Sequence, residues 1–233
     1  MIVTIHQPEH LPWLGFIHKA DRADLLVLLD SVQYRVRYFQ NRNRIAGANG
    51  VTWLMVPVCS KGYREKTIHD MEIDNTQSWQ RAYLATIRQS YSHHPYYPDY
   101  APFFENACTR PWARLADLNE HIIRYFFDVL GVRTPLVRAS ALAGRGASSE
   151  LLLDLCLKTG ATTYRAGQMA GNYLNEDLFH AQKIAVAHHE FVHPVYPQYK
   201  RSEFLSHLSA LDLLFNCGPV SLEIIRGGAR ATG

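Results

Sequence analysis

The chain has 233 residues, of which 47% are hydrophobic and 19% are charged, and its formal net charge is +3 at pH 7. This composition is typical of a globular protein, and so small a net charge gives no support for binding to nucleic acid or to a membrane surface. The sequence has neither a signal-peptide pattern nor an apolar run long enough for a membrane span, and its four cysteines form no C-x-x-C motif. We therefore expect a cytoplasmic protein with reduced thiols, in which residues 1–233 form a single α/β domain.

The first elements that the sequence predicts are a strand at 2–6, a short helix at 14–22 and a second strand at 25–29. The second strand is an uninterrupted apolar run between two aspartates, which is typical of a strand buried on both faces. Strand, helix and strand in this order favour a right-handed crossover between parallel strands. The sequence therefore predicts an α/β fold with a Rossmann-like three-layer core of parallel strands.

An antiparallel hairpin is predicted as an extension of this core. Apolar and polar residues alternate from Val32 to Tyr38, and glycines at 47 and 50 supply turn residues. The segment from Val51 to Val58 has the pattern of a returning strand. We expect a long hairpin attached to the parallel core.

Two amphipathic helices come next. Large apolar residues recur every four positions from Trp79 to Tyr91, and a second helical pattern, over 115–129, ends at Gly131. The connection between them, at 93–104, is rich in tyrosine and proline, and we expect it to be an ordered surface loop.

The last third of the chain is predicted to alternate between strands and helices. Residues 143–150 are predicted to form a glycine turn that leads into a capped helix, and short strands are expected at 161–165 and 184–188. The final helix is predicted over 203–215, before Gly218.

Chemistry-bearing residues are concentrated directly after the first predicted strand. His6, Gln7, His10 and Trp13 occupy a loop shaped by two prolines. Since open α/β sheets bind ligands beyond the carboxyl ends of their strands, we predict His6 as a catalytic base and the other three as substrate-binding. Structural capping of the strand is the alternative. A metal site is not favoured, because Pro8 prevents the helix that the H-x-x-x-H spacing would need.

Polar residues also follow the second predicted strand. We predict that Asp30 is catalytic, orienting His6 or the acceptor, and that Gln33 binds substrate; capping of the turn is the alternative for Asp30. Asn41 and Arg42 are predicted to hold a phosphate or carboxylate group. A solvated strand face and an RNA-binding surface are the alternatives for this arginine-rich segment.

Two later segments supply further candidates. Tyr164 and Gly167 follow a predicted strand, where glycine allows the backbone to approach a ligand closely. His193 and Tyr196 belong to a second histidine-rich stretch, and we predict His193 as a catalytic acid and Tyr196 as substrate-binding. An ordinary loop is the alternative for the Tyr164 segment.

Taken together, these segments resemble the WbqC-like family of bacterial proteins, in order along nearly the whole chain. The resemblance rests on Ile5-His6-Gln7-Pro8, Leu11-Pro12-Trp13-Leu14-Gly15, Asp30-x-x-Gln33, Asn41-Arg42-Asn43, Trp53-Leu54-x-Val56-Pro57-Val58, Tyr164-x-x-Gly167, His193-Pro194-x-Tyr196-x-Gln198 and Ser209-x-x-Asp212-Leu213-Leu214-Phe215-Asn216-x-Gly218. Two positions depart from the pattern: His10 stands where a tyrosine is expected, and Ala166 where a small hydroxyl residue is expected.

The resemblance implies an enzyme of O-antigen, other cell-surface polysaccharide or secondary-metabolite biosynthesis. We expect a transferase that moves an acyl or aminoacyl group to an amino sugar, a nucleotide-linked sugar or a related amine. An ATP-dependent nucleotidyl-transfer or ligase enzyme and a non-enzymatic binding module are the alternatives. The expected partner is a small molecule, not nucleic acid, and neither the residues nor the resemblance specifies a cofactor or an oligomeric state.

Overall fold

A computed structural model describes residues 1–172 and 174–227 of the chain. Its strands are β1 (Ile2–His6), β2 (Leu25–Leu28), β3 (Arg42–Gly47), β4 (Gly50–Met55), β5 (Leu136–Arg138), β6 (Thr163–Ala166) and β7 (Ala185–His188). Its helices are α1 (Leu14–Asp21), α2 (Trp79–Tyr91), α3 (Tyr97–Thr109), α4 (Leu115–Leu130), α5 (Ala139–Leu142), α6 (Ser148–Lys158), α7 (Glu176–Ala181), α8 (Ala210–Cys217) and α9 (Ser221–Gly227). Of these described helices, none is both long and apolar enough to cross a bilayer.

Five strands form one parallel sheet in the order β5-β2-β1-β6-β7, with β1 at its centre. Renumbered along the chain, these five strands have the order 3-2-1-4-5, which is that of a doubly wound sheet. The direction of winding reverses between β1 and β6, so the crevice at their carboxyl ends is the expected ligand position. The predicted α/β fold with a Rossmann-like parallel core is confirmed.

The apolar core lies on both faces of this sheet. Along β2, Leu26 and Leu28 belong to the larger cluster of buried side chains, whereas Val27 belongs to a smaller one. Successive side chains of a strand point to opposite faces, so the two clusters are the two helix–sheet interfaces of a three-layer structure.

The hairpin forms a separate antiparallel sheet of β3 and β4, which pair from Arg42 with Met55 to Gly47 with Gly50. The predicted turn is confirmed, but the predicted start of the first arm at Val32 is wrong. Residues 31–41 make bends and turns, because the side chain of Gln40 accepts a hydrogen bond from the backbone N–H of Arg35 and closes this segment into a loop.

Both amphipathic helices predicted for the middle of the chain are confirmed as α2 and α4. The tyrosine- and proline-rich connection between them is not a surface loop, as expected, since most of it forms α3. Pro98 is tolerated there because the first turn of a helix needs no backbone N–H donor. Phe104 points from α3 into the larger core cluster.

The final predicted helix is shorter at its start than expected. It begins at Ala210 rather than at 203, because the hydroxyl of Ser209 accepts a hydrogen bond from the N–H of Leu211 and caps the first turn. The helix after the glycine turn forms as α6, but its N-cap residue is Ala147, so the predicted side-chain cap is absent from this helix.

Candidate functional site

A cleft of about 620 Å³ opens at the carboxyl ends of the parallel strands. His6 ends β1 and Gln7 follows it, Leu29 follows β2, Gly167 follows β6 and His189 follows β7; all five line the cleft. Because β1 and β6 are the strands between which the winding reverses, the cleft lies at the topological switch point of the sheet.

Three other regions contribute to the walls of the cleft. The segment containing α1 contributes Glu9, Trp13, Gly15 and Lys19; the loop before β3 and its first residues contribute Arg35, Tyr38, Phe39, Gln40, Asn43 and Arg44; and α6 contributes Ser148, Leu151 and Leu152. The walls therefore combine titratable groups, arginines and amides with an apolar surface.

His6 presents a neutral imidazole to the cleft. Its Nδ1 lies 3.0 Å from the backbone carbonyl oxygen of Gln7, which assigns the proton to Nδ1 and leaves the lone pair on Nε2. Burial lowers the pKa of His6 to about 3, and the positive charge of Lys19 adds to this effect. The side chain is 27% exposed, so Nε2 can accept a hydrogen bond from a bound molecule.

Glu9 and Lys19 are two ionisable groups that are almost excluded from solvent, at 7% and 3% exposure. Burial raises the pKa of Glu9 to about 7 and lowers that of Lys19 to about 7, because burial disfavours both charges. The Nζ of Lys19 donates a hydrogen bond to the carbonyl oxygen of Ile5 over 3.1 Å. A Cβ placed on Gly167 would lie 4.0 Å from this nitrogen, so the amine lies between the ends of β1 and β6.

A buried histidine pair lies beside this amine. Arg22 Nε donates to His18 Nε2 over 3.1 Å, and His18 Nδ1 in turn donates to His189 Nε2 over 2.7 Å. Burial lowers the pKa of His18 to about 4 and that of His189 to about 3. Both rings are therefore neutral near pH 7, and His189 reaches the cleft.

Arginine side chains supply positive charge to one wall of the cleft. The Nε of Arg44 is buried and has no hydrogen-bond acceptor among the described residues. Arg35 lies over the ring of Tyr38, with its guanidinium carbon 5.1 Å from the ring centroid. A guanidinium group with unused donors is suited to a carboxylate or a phosphate.

Five of the residues predicted from the sequence line the cleft: His6, Gln7, Trp13, Tyr164 and Gly167. The side-chain oxygen of Gln7 accepts a hydrogen bond from Gln40 Nε2 over 2.8 Å, which fixes its orientation. The indole of Trp13 packs directly on Gly15, where a Cβ would lie 2.3 Å from the ring.

His10 lies in the core behind the cleft. It is fully buried; its Nδ1 donates to Asn119 Oδ1 over 3.0 Å, and its Nε2 accepts from the hydroxyl of Tyr83 over 2.9 Å. These bonds tie the loop after β1 to α2 and α4, and both ring nitrogens are used within the protein.

Asp30 and Gln33 also make contacts within the protein. The carboxylate of Asp30 is 1% exposed and accepts hydrogen bonds from the N–H of Ser140 over 2.9 Å and from its hydroxyl over 2.7 Å. Asp30 therefore connects the end of β2 to α5. Gln33 donates from its side chain to the carbonyl oxygen of Arg64.

Asn41 and Arg42 stabilise the hairpin. Asn41 Nδ2 donates to the carbonyl oxygen of Val56 over 2.8 Å. The guanidinium of Arg42 donates to the carbonyl oxygen of Arg37 over 2.6 Å and lies 4.3 Å from the ring centroid of Trp53. Neither residue is in the cleft lining; the next two residues, Asn43 and Arg44, are.

His193 and Tyr196 lie behind one wall of the cleft. His193 Nε2 accepts a hydrogen bond from the N–H of His207, whose ring lines the cleft and stacks on Trp13. The hydroxyl of Tyr196 donates to the buried carboxylate of Asp212 over 2.9 Å. His193 therefore contacts His207, which lines the cleft, but is not itself part of the lining. Tyr196 belongs to the core.

Six residues with a charged or imidazole side chain line the cleft although the sequence analysis did not select them: Glu9, Lys19, Arg35, Arg44, His189 and His207. Lys19 carried a usable signal, since it lies inside the helix predicted at 14–22. The other five come together only through the fold. No three His, Cys, Asp or Glu side chains within 1–172 and 174–227 are arranged to hold a metal ion.

Comparison with known proteins gives a family but no activity. The model of the WbqC-like protein family matches residues 7–224. The uncharacterized protein Rv1507c of Mycobacterium tuberculosis (strain ATCC 25618 / H37Rv) is 30% identical over 227 residues, which cover 96% of this chain and 97% of that protein. No solved structure matches the chain.

Proposed function

The chain belongs to the WbqC-like protein family, and we propose that its cleft catalyses transfer of an acyl-type group from a small activated donor to an amine. The observation that carries this proposal is the neutral imidazole of His6, which faces a ligand-sized cleft at the switch point of the sheet. In the proposed setting the acceptor is an amino sugar or a related amine, and the reaction belongs to polysaccharide or secondary-metabolite biosynthesis in the cytoplasm.

His6 is the general base in this proposal. An acceptor amine attacks the acyl carbon and becomes positively charged, and Nε2 of His6 removes the excess proton as the leaving group departs. The backbone carbonyl of Gln7 holds the imidazole in the tautomer that this step requires. That contact takes the orienting role that the sequence analysis assigned to Asp30, whose carboxylate is engaged by Ser140.

Arg44 is the anchor for the activated donor. Activated acyl groups are carried on phosphate-containing leaving groups, and the Nε of Arg44 is a buried donor without an acceptor among the described residues. Because an arginine can form two parallel hydrogen bonds with a phosphate, it fixes the orientation of the donor as well as its charge. Leu151 and Leu152 offer an apolar wall for an acyl chain.

The amides of the cleft suit the acceptor. Gln7 and Gln40 are hydrogen-bonded to each other, and both line the cleft. Their remaining donor and acceptor positions match the hydroxyl and amine groups of a sugar. The volume of about 620 Å³ is also within the range of sites for small molecules, which is roughly 300–1,000 Å³.

A ligand screen followed by a transfer assay tests this proposal. Thermal unfolding is measured with nucleotide sugars, acyl thioesters of coenzyme A, and ATP; a ligand at about 100 times its Kd stabilises the folded state by about 2.7 kcal/mol. A stabilising donor is then incubated with amino sugars, and the N-acylated product is detected by mass spectrometry. We expect Arg44→Ala to reduce the thermal shift and His6→Gln to abolish transfer while retaining the shift.

Two matched variants serve as controls. Arg81→Ala removes an exposed arginine of α2, and His93→Gln removes an exposed histidine outside the cleft. Both are expected to behave as the wild type. Stabilisation by ATP alone, or full transfer activity in His6→Gln, would contradict the proposal.

A further inference from the structure

We propose that Lys19 is a nucleophile that forms an imine with an aldehyde or ketone bound in the cleft. This inference concerns a second chemistry in the same cleft and does not depend on acyl transfer. It rests on the position of one amine, on the space beside it and on the acid group nearby.

The position of Lys19 is unusual for a lysine. Its side chain comes from α1 and is 3% exposed, although lysine is one of the residues that are almost never fully buried without a partner. Its Nζ lies at the end of β1, where it donates one hydrogen bond to the carbonyl oxygen of Ile5. The residue lines the cleft, and its Nζ lies next to Gly167, which is also part of the lining.

The end of β6 leaves room beside this nitrogen. Gly167 follows β6 and lines the cleft, and even a Cβ on it would be 4.0 Å from Nζ. A carbonyl carbon therefore has an approach between β1 and β6, at the switch point where ligands bind in such sheets.

The charge state of Lys19 favours attack on a carbonyl. Burial lowers its pKa to about 7, so roughly half of the amine is neutral at pH 7 and has a lone pair to donate. Desolvated lysines of this kind are the ones that form imines in enzymes. The ionisable groups around Nζ are Glu9 after β1, His6 on β1, Arg165 on β6, and His189 after β7.

Glu9 completes the reaction. The lone pair of Nζ attacks the carbonyl carbon, a C–N bond forms, and a proton moves from nitrogen to oxygen to give a carbinolamine. The protonated carboxyl of Glu9 then gives its proton to the hydroxyl group, the C–O bond breaks, and water leaves. The products are a protonated imine on Lys19, one water molecule and the Glu9 carboxylate, so no oxidant or reductant is needed.

The reaction also leaves the net charge of the cleft unchanged. A neutral amine and a neutral carboxyl become one cation and one anion within the same cleft. Because the pKa of Glu9 is raised to about 7, roughly half of the carboxyl is protonated near pH 7, so the acid is present at the pH at which part of the amine is neutral.

Reductive trapping tests the proposal on the wild-type protein. Glycolaldehyde, a small neutral hydroxyaldehyde, is added at about pH 7 with cyanoborohydride, which reduces an imine to a stable amine, and labelled lysines are located by peptide mass spectrometry. An ordinary lysine has a pKa near 10.4, so we expect labelling of Lys19 to exceed that of exposed Lys61 by at least about 10-fold. Equal labelling, or no label on Lys19, would overturn the proposal.

Two variants sharpen the result. Gly167→Val fills the space beside Nζ and is expected to reduce labelling of Lys19 while leaving Lys61 unchanged; retention of full Lys19 labelling would contradict the assigned approach. His6→Gln is expected to stop acyl transfer but to leave labelling intact. The imine proposal and the acyl-transfer proposal can therefore fail separately.

Discussion

His18 Nδ1 donates a hydrogen bond to His189 Nε2 over 2.7 Å, which joins α1 to the segment that follows β7. The bond exists only while His189 is neutral, because a protonated His189 has no lone pair to accept it. The wall of the cleft that His189 forms is therefore sensitive to acid.

We predict that this pair makes the protein less stable below pH 6.5. Because the pKa of His18 is lowered from 6.5 to about 4, the unfolded chain binds a proton between these values that the folded chain does not. The stabilisation is complete above pH 6.5 and is lost as the pH falls. Between about pH 7.5 and pH 5, the stability advantage of the wild type over His18→Gln should shrink by about 2 kcal/mol in urea denaturation.

The comparison with His18→Gln is needed because Glu9 changes the free energy of unfolding with pH in the opposite direction. Its raised pKa means that the folded chain holds a proton between pH 7 and 4.5 that the unfolded chain releases, so Glu9 adds stability as the pH falls. Both proteins contain Glu9, and the difference between them removes its effect. An advantage that stays constant with pH would contradict the assignment, and His93→Gln should follow the wild type.

Tyr196→Phe is predicted to lower stability without changing ligand binding. The buried carboxylate of Asp212 accepts hydrogen bonds from Tyr91, Tyr196 and Gln198, and the variant removes one of these donors. We expect a loss of about 1–3 kcal/mol in the free energy of unfolding. The control is Tyr199→Phe, since Tyr199 is half-buried near the same region. Weaker ligand binding with unchanged stability would instead make Tyr196 a substrate-binding residue.

Gly15→Ala is predicted to displace Trp13. The added Cβ would lie 2.3 Å from the indole ring, so the ring must move away from the wall of the cleft. We expect a loss of about 1–3 kcal/mol in stability and weaker binding of any ligand found by thermal shift, measured by denaturation and calorimetry. Gly167→Ala introduces the same methyl group where there is room, so it should not lower the stability. Wild-type affinity in Gly15→Ala would show that Trp13 does not contact the ligand.

Arg44→Ala is predicted to reduce the affinity for an anionic donor by roughly 10-fold or more, because it removes charge-assisted hydrogen bonds. Arg44→Lys should recover part of the loss through charge alone, without the paired geometry. Titration calorimetry at low and high salt measures both effects, and the difference between wild type and Arg44→Ala should shrink at high salt. Equal affinities at low salt would exclude Arg44 as the anchor.

Local pattern was sufficient to predict the core of the fold. In β2 and α2 the apolar positions of the sequence pattern are the positions that the fold buries. Both elements therefore lie close to their predicted bounds. The alternation from Val32 to Tyr38 was misleading because Tyr34 is buried in a loop rather than on a strand. The loop forms because the side chain of Gln40 accepts a hydrogen bond from the backbone N–H of Arg35, and hydrophobic periodicity does not reveal a contact of this kind.

The candidate site was predictable mainly at and shortly after the ends of β1 and β6. His6 is the last residue of β1 and Gly167 directly follows β6, so the sheet topology places both in the cleft. Arg44 enters the cleft because the hairpin docks through Asn43, whose side chain donates to the carbonyl oxygens of His10 and Leu11. Residue spacing in the sequence does not reveal such a tertiary contact. The sequence analysis therefore selected Asn41 and Arg42 as the anion-binding pair instead of Arg44.

The central place of β1 has a consequence during protein synthesis. Its partner on one side, β6, lies far along the chain, and the hydroxyl of Thr4 reaches the carbonyl oxygen of Arg165 across 161 positions. At ribosomal rates the interval between the two segments is about 10–30 s. Throughout that time the edge of β1 that later pairs with β6 is unpaired. Extended segments of other chains can form backbone hydrogen bonds with this edge.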